Sequence, residues 1–192
     1  MGKRSSFEKR ARDYYPTPLE AVTPLAPHLP EIYNFWEPCA GDGRLVLHLK
    51  HIGGTVAGAT DVAFPEDDPL QYPVGLKDAF DLTEYDMVDV DYIITNPPWS
   101  RDKKSDYILH KMIEHFANLR PTWLLFDADW AHTLQARPYL ERYCTDIVSV
   151  GRVSWEQNGT SGKDNCAWYK FTKEKTERHV DFWARGVIPS VI

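Results

Sequence analysis

Cysteine is scarce in this 192-residue chain, with three in all. Cys39, Cys144 and Cys166 lie far apart and are odd in number. They make neither a disulfide framework nor a metal-binding spacing, and they fit a reduced, cytosolic compartment. No apolar run approaches the roughly 20 residues that span a bilayer, and mean hydropathy is −0.46, so no membrane partner is expected. Met1 to Arg12 is basic and polar and lacks the apolar stretch of a secretory signal. Internal repeats, low-complexity tracts and a linker to a second domain are also missing. The seven histidines show no ligand spacing, so no metal is expected. What is present is globular material, 43% hydrophobic and 13% aromatic, enough at this length for one buried core.

Net charge is −6, unevenly spread. Residues 21–100 hold thirteen acids and three bases, while 1–20 and 101–192 each carry two bases in excess. An acidic middle suits a cationic ligand and basic flanks suit phosphates, but a solvated surface gives the same distribution.

Apolar periodicity sets out seven strands, at 32–36, 55–60, 74–77, 91–95, 123–126, 146–153 and 166–171. Helical patterns fall at 44–51, 105–118 and 131–143. Another starts at Thr17-Pro18, which Pro24 and Pro27 should kink or break. Alternating strands and helices argue for an α/β layer fold with a mostly parallel sheet. The last two strands have only the loop 156–165 between them and should pair antiparallel. Residues 1–13 read as a flexible basic lead-in, 14–172 as the domain, and 173–192 as a tail without assigned structure.

Two constellations carry chemistry. Glu37-Pro38-Cys39-Ala40-Gly41-Asp42-Gly43 joins the first strand to a helix. Gly41 and Gly43 let backbone approach a ligand closely, and the helix N-terminus offers free N–H groups. The turn is neither the GxGxxG dinucleotide signature nor a phosphate loop. Its leading acid suits a ligand bearing an ammonium and a sulfonium better than a pyrophosphate. Asp61, ending the second strand, is placed to accept from ribose hydroxyls.

The second is Asn96-Pro97-Pro98-Trp99, which ends the fourth strand. An amine attached to an aromatic base is a poor nucleophile, because its lone pair is delocalised. An Asn oxygen and a proline-held carbonyl can each accept one of its hydrogens, freeing the lone pair for in-line attack on a methyl donor. Trp99 offers a face on which an extruded base can stack. A rigid turn with a buried Trp is the plain structural alternative.

On these residues the chain resembles the amino-methyltransferases of the N6-adenine DNA type, especially small stand-alone ones of phage or prophage character. Glu37 to Gly43 resembles the family's cofactor motif and Asn96 to Trp99 its catalytic motif. Tyr14-Tyr15-Pro16-Thr17-Pro18 resembles the N-terminal motif that closes over the methionine end of the cofactor. The resemblance implies a Rossmann-like class I methyltransferase fold, with a seven-stranded sheet whose last strand is antiparallel. It implies S-adenosylmethionine as cofactor, held by Tyr15, Thr17, Pro18, Glu37, Pro38, Cys39, Gly41, Gly43, Asp61, Asp78 and Asn96. Asp78 would meet the cofactor adenine, with Asp81 a near competitor. The expected partner is DNA, ahead of RNA, inside a bacterial or phage-infected cell. Most of the family carry a separate target-recognition domain, and none is expected in these residues.

Arg101, Lys103, Lys104 and Lys163 are candidate phosphate contacts, and Asp127, Asp129 and Trp130 candidate walls of the base pocket. Alternatives stay open: an RNA base N-methyltransferase, a cytosine-N4 enzyme, a protein glutamine N-methyltransferase, or a non-catalytic cofactor-binding partner subunit.

Overall fold

The computed structural model describes residues 14–66, 68–99, 108–155, 160–162, 164–173, 175 and 179–185. Among them one sheet holds eight strands. They are β1 (Tyr33–Glu37), β2 (Gly54–Asp61), β3 (Gly75–Leu76), β4 (Tyr92–Thr95), β5 (Thr122–Asp127), β6 (Cys144–Gly151), β7 (Cys166–Phe171) and β8 (Asp181–Trp183). Four α-helices accompany them in the described chain: α1 (Leu19–Val22), α2 (Arg44–His51), α3 (Ile108–Leu119) and α4 (Arg137–Arg142). The strand order is β3-β2-β1-β4-β5-β7-β6-β8. Only β7 runs against its neighbours, antiparallel to both β5 and β6, the pairing expected for it and β6.

The middle of the sheet is covered on both faces. Thr122 to Phe126 are buried without a break, the pattern of a strand packed between two layers. Side chains alternate with the pleat. Leu124 and Phe126 join Ile93, Met112, Phe116 and Tyr169 on the α3 side. Trp123 and Leu125 join Ile94, Val46, Leu49 and Trp168 on the α1–α2 side.

Two stretches depart from the periodicity reading. The tail adds β8, parallel to β6, so the sheet has eight strands and ends on a parallel one. Three residues are too few to show an alternation. The strand is secured by the Trp183 indole, which donates to Asp146 Oδ1 at 3.2 Å. Residues 131–143 do not form one helix but split into a 3₁₀ turn at Ala128–His132 and the separate α4. Pro138 lacks an N–H and is accommodated only in a first turn, so a new helix starts there. Near the N-terminus the prolines act as expected: α1 stops after four residues and a 3₁₀ turn, Thr23–His28, takes over.

This order places a site. The chain runs from β1 outward to β2 and β3, then returns to lay β4 on the other side of β1. The crossovers diverge there, leaving a crevice at the carboxyl ends of β1 and β4.

Candidate active site

A cavity of about 370 Å³ occupies that crevice, within the usual range for small-molecule sites. Each strand ending there contributes wall: Pro38 to Asp42 after β1, Asp61 to Ala63 after β2, Asp78 to Phe80 after β3, and Asn96 and Pro98 after β4. Tyr14 to Thr17 close it from the N-terminal side, and Leu45, Ile108 and Met112 supply apolar floor.

The glycine turn is built by local necessity. Gly41 and Gly43 have φ of +53° and +82°, in the left-handed region where a side chain is strained. A Cβ on Gly41 would also meet Tyr14 Cε2 at 2.6 Å, so the tyrosine ring lies directly on the turn. Asp61 fastens the turn to β2: its Oδ2 accepts the Gly41 N–H at 2.8 Å and its Oδ1 the Ala63 N–H at 3.1 Å. Asp42, 2% exposed, accepts the Arg44 N–H at 3.0 Å and pairs with the Arg44 guanidinium at 3.0 Å, steadying the start of α2. Asp78 accepts the Phe80 N–H at 2.9 Å.

Glu37 is fully buried behind the turn, its Oε1 accepting the Cys39 N–H at 3.2 Å. The Thr95 hydroxyl is near enough to favour the ionised form without closing a well-formed hydrogen bond, so Oε2 and Thr95 Oγ1 both stay unpaired. Burial dominates and pushes the carboxyl up to about 8. Burial also holds the Cys39 thiol well above its ordinary value, with Glu37 and Asp61 adding to the effect. That thiol stays protonated and makes a poor nucleophile.

Asn96 stands at the opposite wall. Its amide nitrogen donates to Thr17 Oγ1 at 3.1 Å and to the Tyr15 carbonyl at 3.4 Å. Pro97 is buried beneath it, and the Trp99 indole donates to the Leu125 carbonyl at 3.2 Å. Trp99 meets Trp155 edge to face at 5.9 Å, and Trp155 meets Tyr15 at 6.5 Å.

The structure therefore brings Tyr15, Thr17, Pro38, Cys39, Gly41, Asp61, Asp78, Asn96 and Pro98 onto one cavity, whereas Pro18, Glu37, Gly43, Pro97 and Trp99 stand behind or beside it. Asp78 is on the wall and Asp81 is not. Asp127 caps the turn after β5, accepting from the Asp129 N–H at 2.9 Å, and burial raises its carboxyl. Trp130 is buried on the α3 side and donates to His110 at 3.1 Å. Neither forms part of the cavity. Arg101, Lys103, Lys104 and Lys163 lie outside the described residues, as do 1–13. Among the described residues no group of three His, Cys, Asp or Glu is placed to hold a metal, and no helix is long and apolar enough to cross a membrane. Trp155 escaped the sequence reading because it follows β6 at the edge of a polar loop, where one aromatic has no periodic partner.

No family model and no curated protein matches the chain. Solved structures do. A proposed RNA methyltransferase from Pyrococcus horikoshii superposes with a TM-score of 0.62 over 90% of this chain and 94% of its own, at 15% identity. The fold is that of the class I methyltransferases. A type I restriction-modification methyltransferase subunit from Streptococcus thermophilus matches at 0.59 and 12% identity, over 88% of this chain and 47% of its own. A protein from Listeria monocytogenes described as a proposed class I S-adenosylmethionine-dependent methyltransferase matches at 0.51 and 11% identity, over 89% and 63%. The chain thus spans about half of the Streptococcus subunit and under two thirds of the Listeria protein.

Proposed function

We propose that this protein transfers a methyl group from S-adenosylmethionine to the exocyclic amine of a nucleic-acid base, N6 of adenine in DNA. The observation that carries the reading is Asn96: a neutral amide held by two hydrogen bonds at the wall of the cavity, directly before two prolines.

The donor set fits the cofactor. Asp42, Asp61 and Asp78 line the cavity, and the described lining residues include no Lys or Arg. Such a site favours a cation over a phosphate ester. The turn N–H groups would hold the methionine end, with Glu37 behind them as the acid nearest its ammonium, Asp61 would hold the ribose hydroxyls and Asp78 the adenine edge. When bound, the cofactor supplies an electrophilic methyl on a sulfonium. The chain's own residues do the rest. Asn96 Oδ1 and a proline-fixed carbonyl of 96–98 accept the two amine hydrogens, which pulls the nitrogen toward tetrahedral geometry. Tyr15, Trp99 and Trp155 offer aromatic surface for the base beside them. Cys39, kept protonated, takes no covalent part.

RNA is the second reading. It is favoured by the Pyrococcus neighbour, named as a proposed RNA methyltransferase and matched over nearly its whole length. Incubation with isotope-labelled cofactor and unmethylated DNA, RNA or protein, followed by nucleoside mass spectrometry, separates these readings. Label in N6-methyldeoxyadenosine is the expected result, lost in Asn96→Ala while cofactor binding persists. Label confined to protein would overturn the assignment.

A further inference from the structure

We infer that Thr17 is a positioning residue for Asn96: its hydroxyl, with the Tyr15 carbonyl, fixes which way the catalytic amide faces. The inference rests on the base-amine reading above and adds to it a side chain that acts through another.

An Asn side chain has two chemically opposite ends, an accepting oxygen and a donating nitrogen, that are almost identical in shape. Activation of an amine requires the oxygen to face the acceptor. Nothing in the shape of Asn96 secures that; its hydrogen-bond partners must. The Tyr15 carbonyl, 3.4 Å away, can only accept, so the group facing it has to be the nitrogen. Thr17 Oγ1, at 3.1 Å, takes the second amide hydrogen. Both Nδ2 hydrogens are then used on the 14–18 segment, and Oδ1 is turned away from it. Among the described residues Oδ1 has no partner of its own. A flipped amide would set oxygen against the Tyr15 carbonyl, two acceptors with no hydrogen between them.

The hydroxyl can do this because it is itself immobile. Thr17 is 4% exposed and sits between Pro16 and Pro18. The proline after it confines it to extended backbone, and the one before contributes a fixed φ. The stretch that follows is tied to the far end of the sheet. Trp168 Nε1 donates to the Ala21 carbonyl at 2.7 Å, and the Ser154 N–H donates to Glu20 at 2.5 Å. Thr17 also lines the cavity beside Asn96, so it is held at the boundary between cofactor and acceptor space.

The test compares Thr17→Val, which keeps the branched shape and loses the acceptor, with Thr17→Ser, which keeps it. Methyl transfer to unmethylated plasmid DNA is measured by nucleoside mass spectrometry, and affinity for S-adenosylhomocysteine by calorimetry. The side-chain NH2 resonances of Asn96 are followed by NMR in the same proteins. Thr17→Val should lower kcat on the order of tenfold, the value of one lost orienting hydrogen bond, with KM and cofactor affinity within about twofold of wild type. Its Asn96 NH2 signals should shift and exchange faster. Thr17→Ser should restore both the rate and the resonances. Unchanged kcat in Thr17→Val, unchanged Asn96 signals, or a parallel loss of cofactor affinity would each overturn the inference. If the wild-type protein methylates no adenine, the base-amine reading fails. The NMR comparison, which needs no acceptor, then decides alone whether Thr17 orients Asn96.

Discussion

The buried carboxyl of Glu37 makes stability depend on pH in a direction opposite to that of most carboxylates. Its ordinary value is 4.5, and burial raises it to about 8 in the folded protein. Folding therefore takes up a proton at any pH between those values. The sign follows: the contribution to stability is fully present below the unfolded value, falls as pH rises, and is lost once pH passes the folded value. Each unit of separation is worth ~1.4 kcal/mol, so raising the pH from 5 to 8 should cost roughly 4 kcal/mol at this residue. In a chain of this size that is on the order of 10 °C in Tm. Glu37→Gln keeps an acceptor for the Cys39 N–H and removes the titration. The assay is a melting curve of both proteins from pH 5 to 8, without added cofactor. The wild type should lose Tm relative to Glu37→Gln across that window, whatever the histidines contribute to both. A difference that stays flat with pH would show that Glu37 is ionised in the folded protein and refute the account of its burial. With S-adenosylhomocysteine present, the ammonium would stabilise the ionised form, so the ligand-induced rise in wild-type Tm should grow with pH.

Other expectations concern the turn, the aromatic wall and the acceptor. Gly41→Ala places a methyl 2.6 Å from the Tyr14 ring at a φ of +53°. It should cost about 1–2 kcal/mol of stability and weaken cofactor binding, measured by melting and calorimetry; unchanged affinity would mean Tyr14 does not close the site. Trp99→Ala should lose methyl transfer and also lower Tm, because the ring packs against both cores. Trp99→Phe, which loses the bond to the Leu125 carbonyl and part of the ring packing but keeps an aromatic face, should retain most of the rate in the same assays. Affinity for DNA should fall as salt rises, through counterion release; a flat titration from 50 to 200 mM salt would argue against phosphate contacts.

The layered α/β architecture was legible because it is written in residues with strong local preferences. The run 123–126 is apolar on both faces, the Gly-Asp-Gly turn can be made only with positive φ, and the double proline must end β4. What escaped was decided by tertiary contact. β8 is laid against β6 by a backbone ladder, with Trp183 reaching Asp146 beside it, and Trp155 meets Trp99 and Tyr15 only in space. Asp61 is a proposed ligand contact that also accepts two backbone N–H groups, one of them from Gly41 twenty residues away, a structural duty that no spacing announces. Thr17 was read as a cofactor contact, and its bond to Asn96 joins residues 79 apart in the chain.

The ties across the sheet also bear on the order in which the protein is made. The backbone of Ala21 is secured by an indole 147 residues further along, and Glu20 by an amide 134 residues on. At ribosomal speeds the N-terminal strap waits on the order of ten seconds for its anchor to be synthesised. Until the β6–β7 hairpin arrives, β1, β2 and α2 can pair locally, but the segment after Thr17 lacks its ties to Trp168 and Ser154. The nascent chain thus builds its glycine turn early and gains the ties that steady the Thr17 segment only once β6 and β7 have emerged.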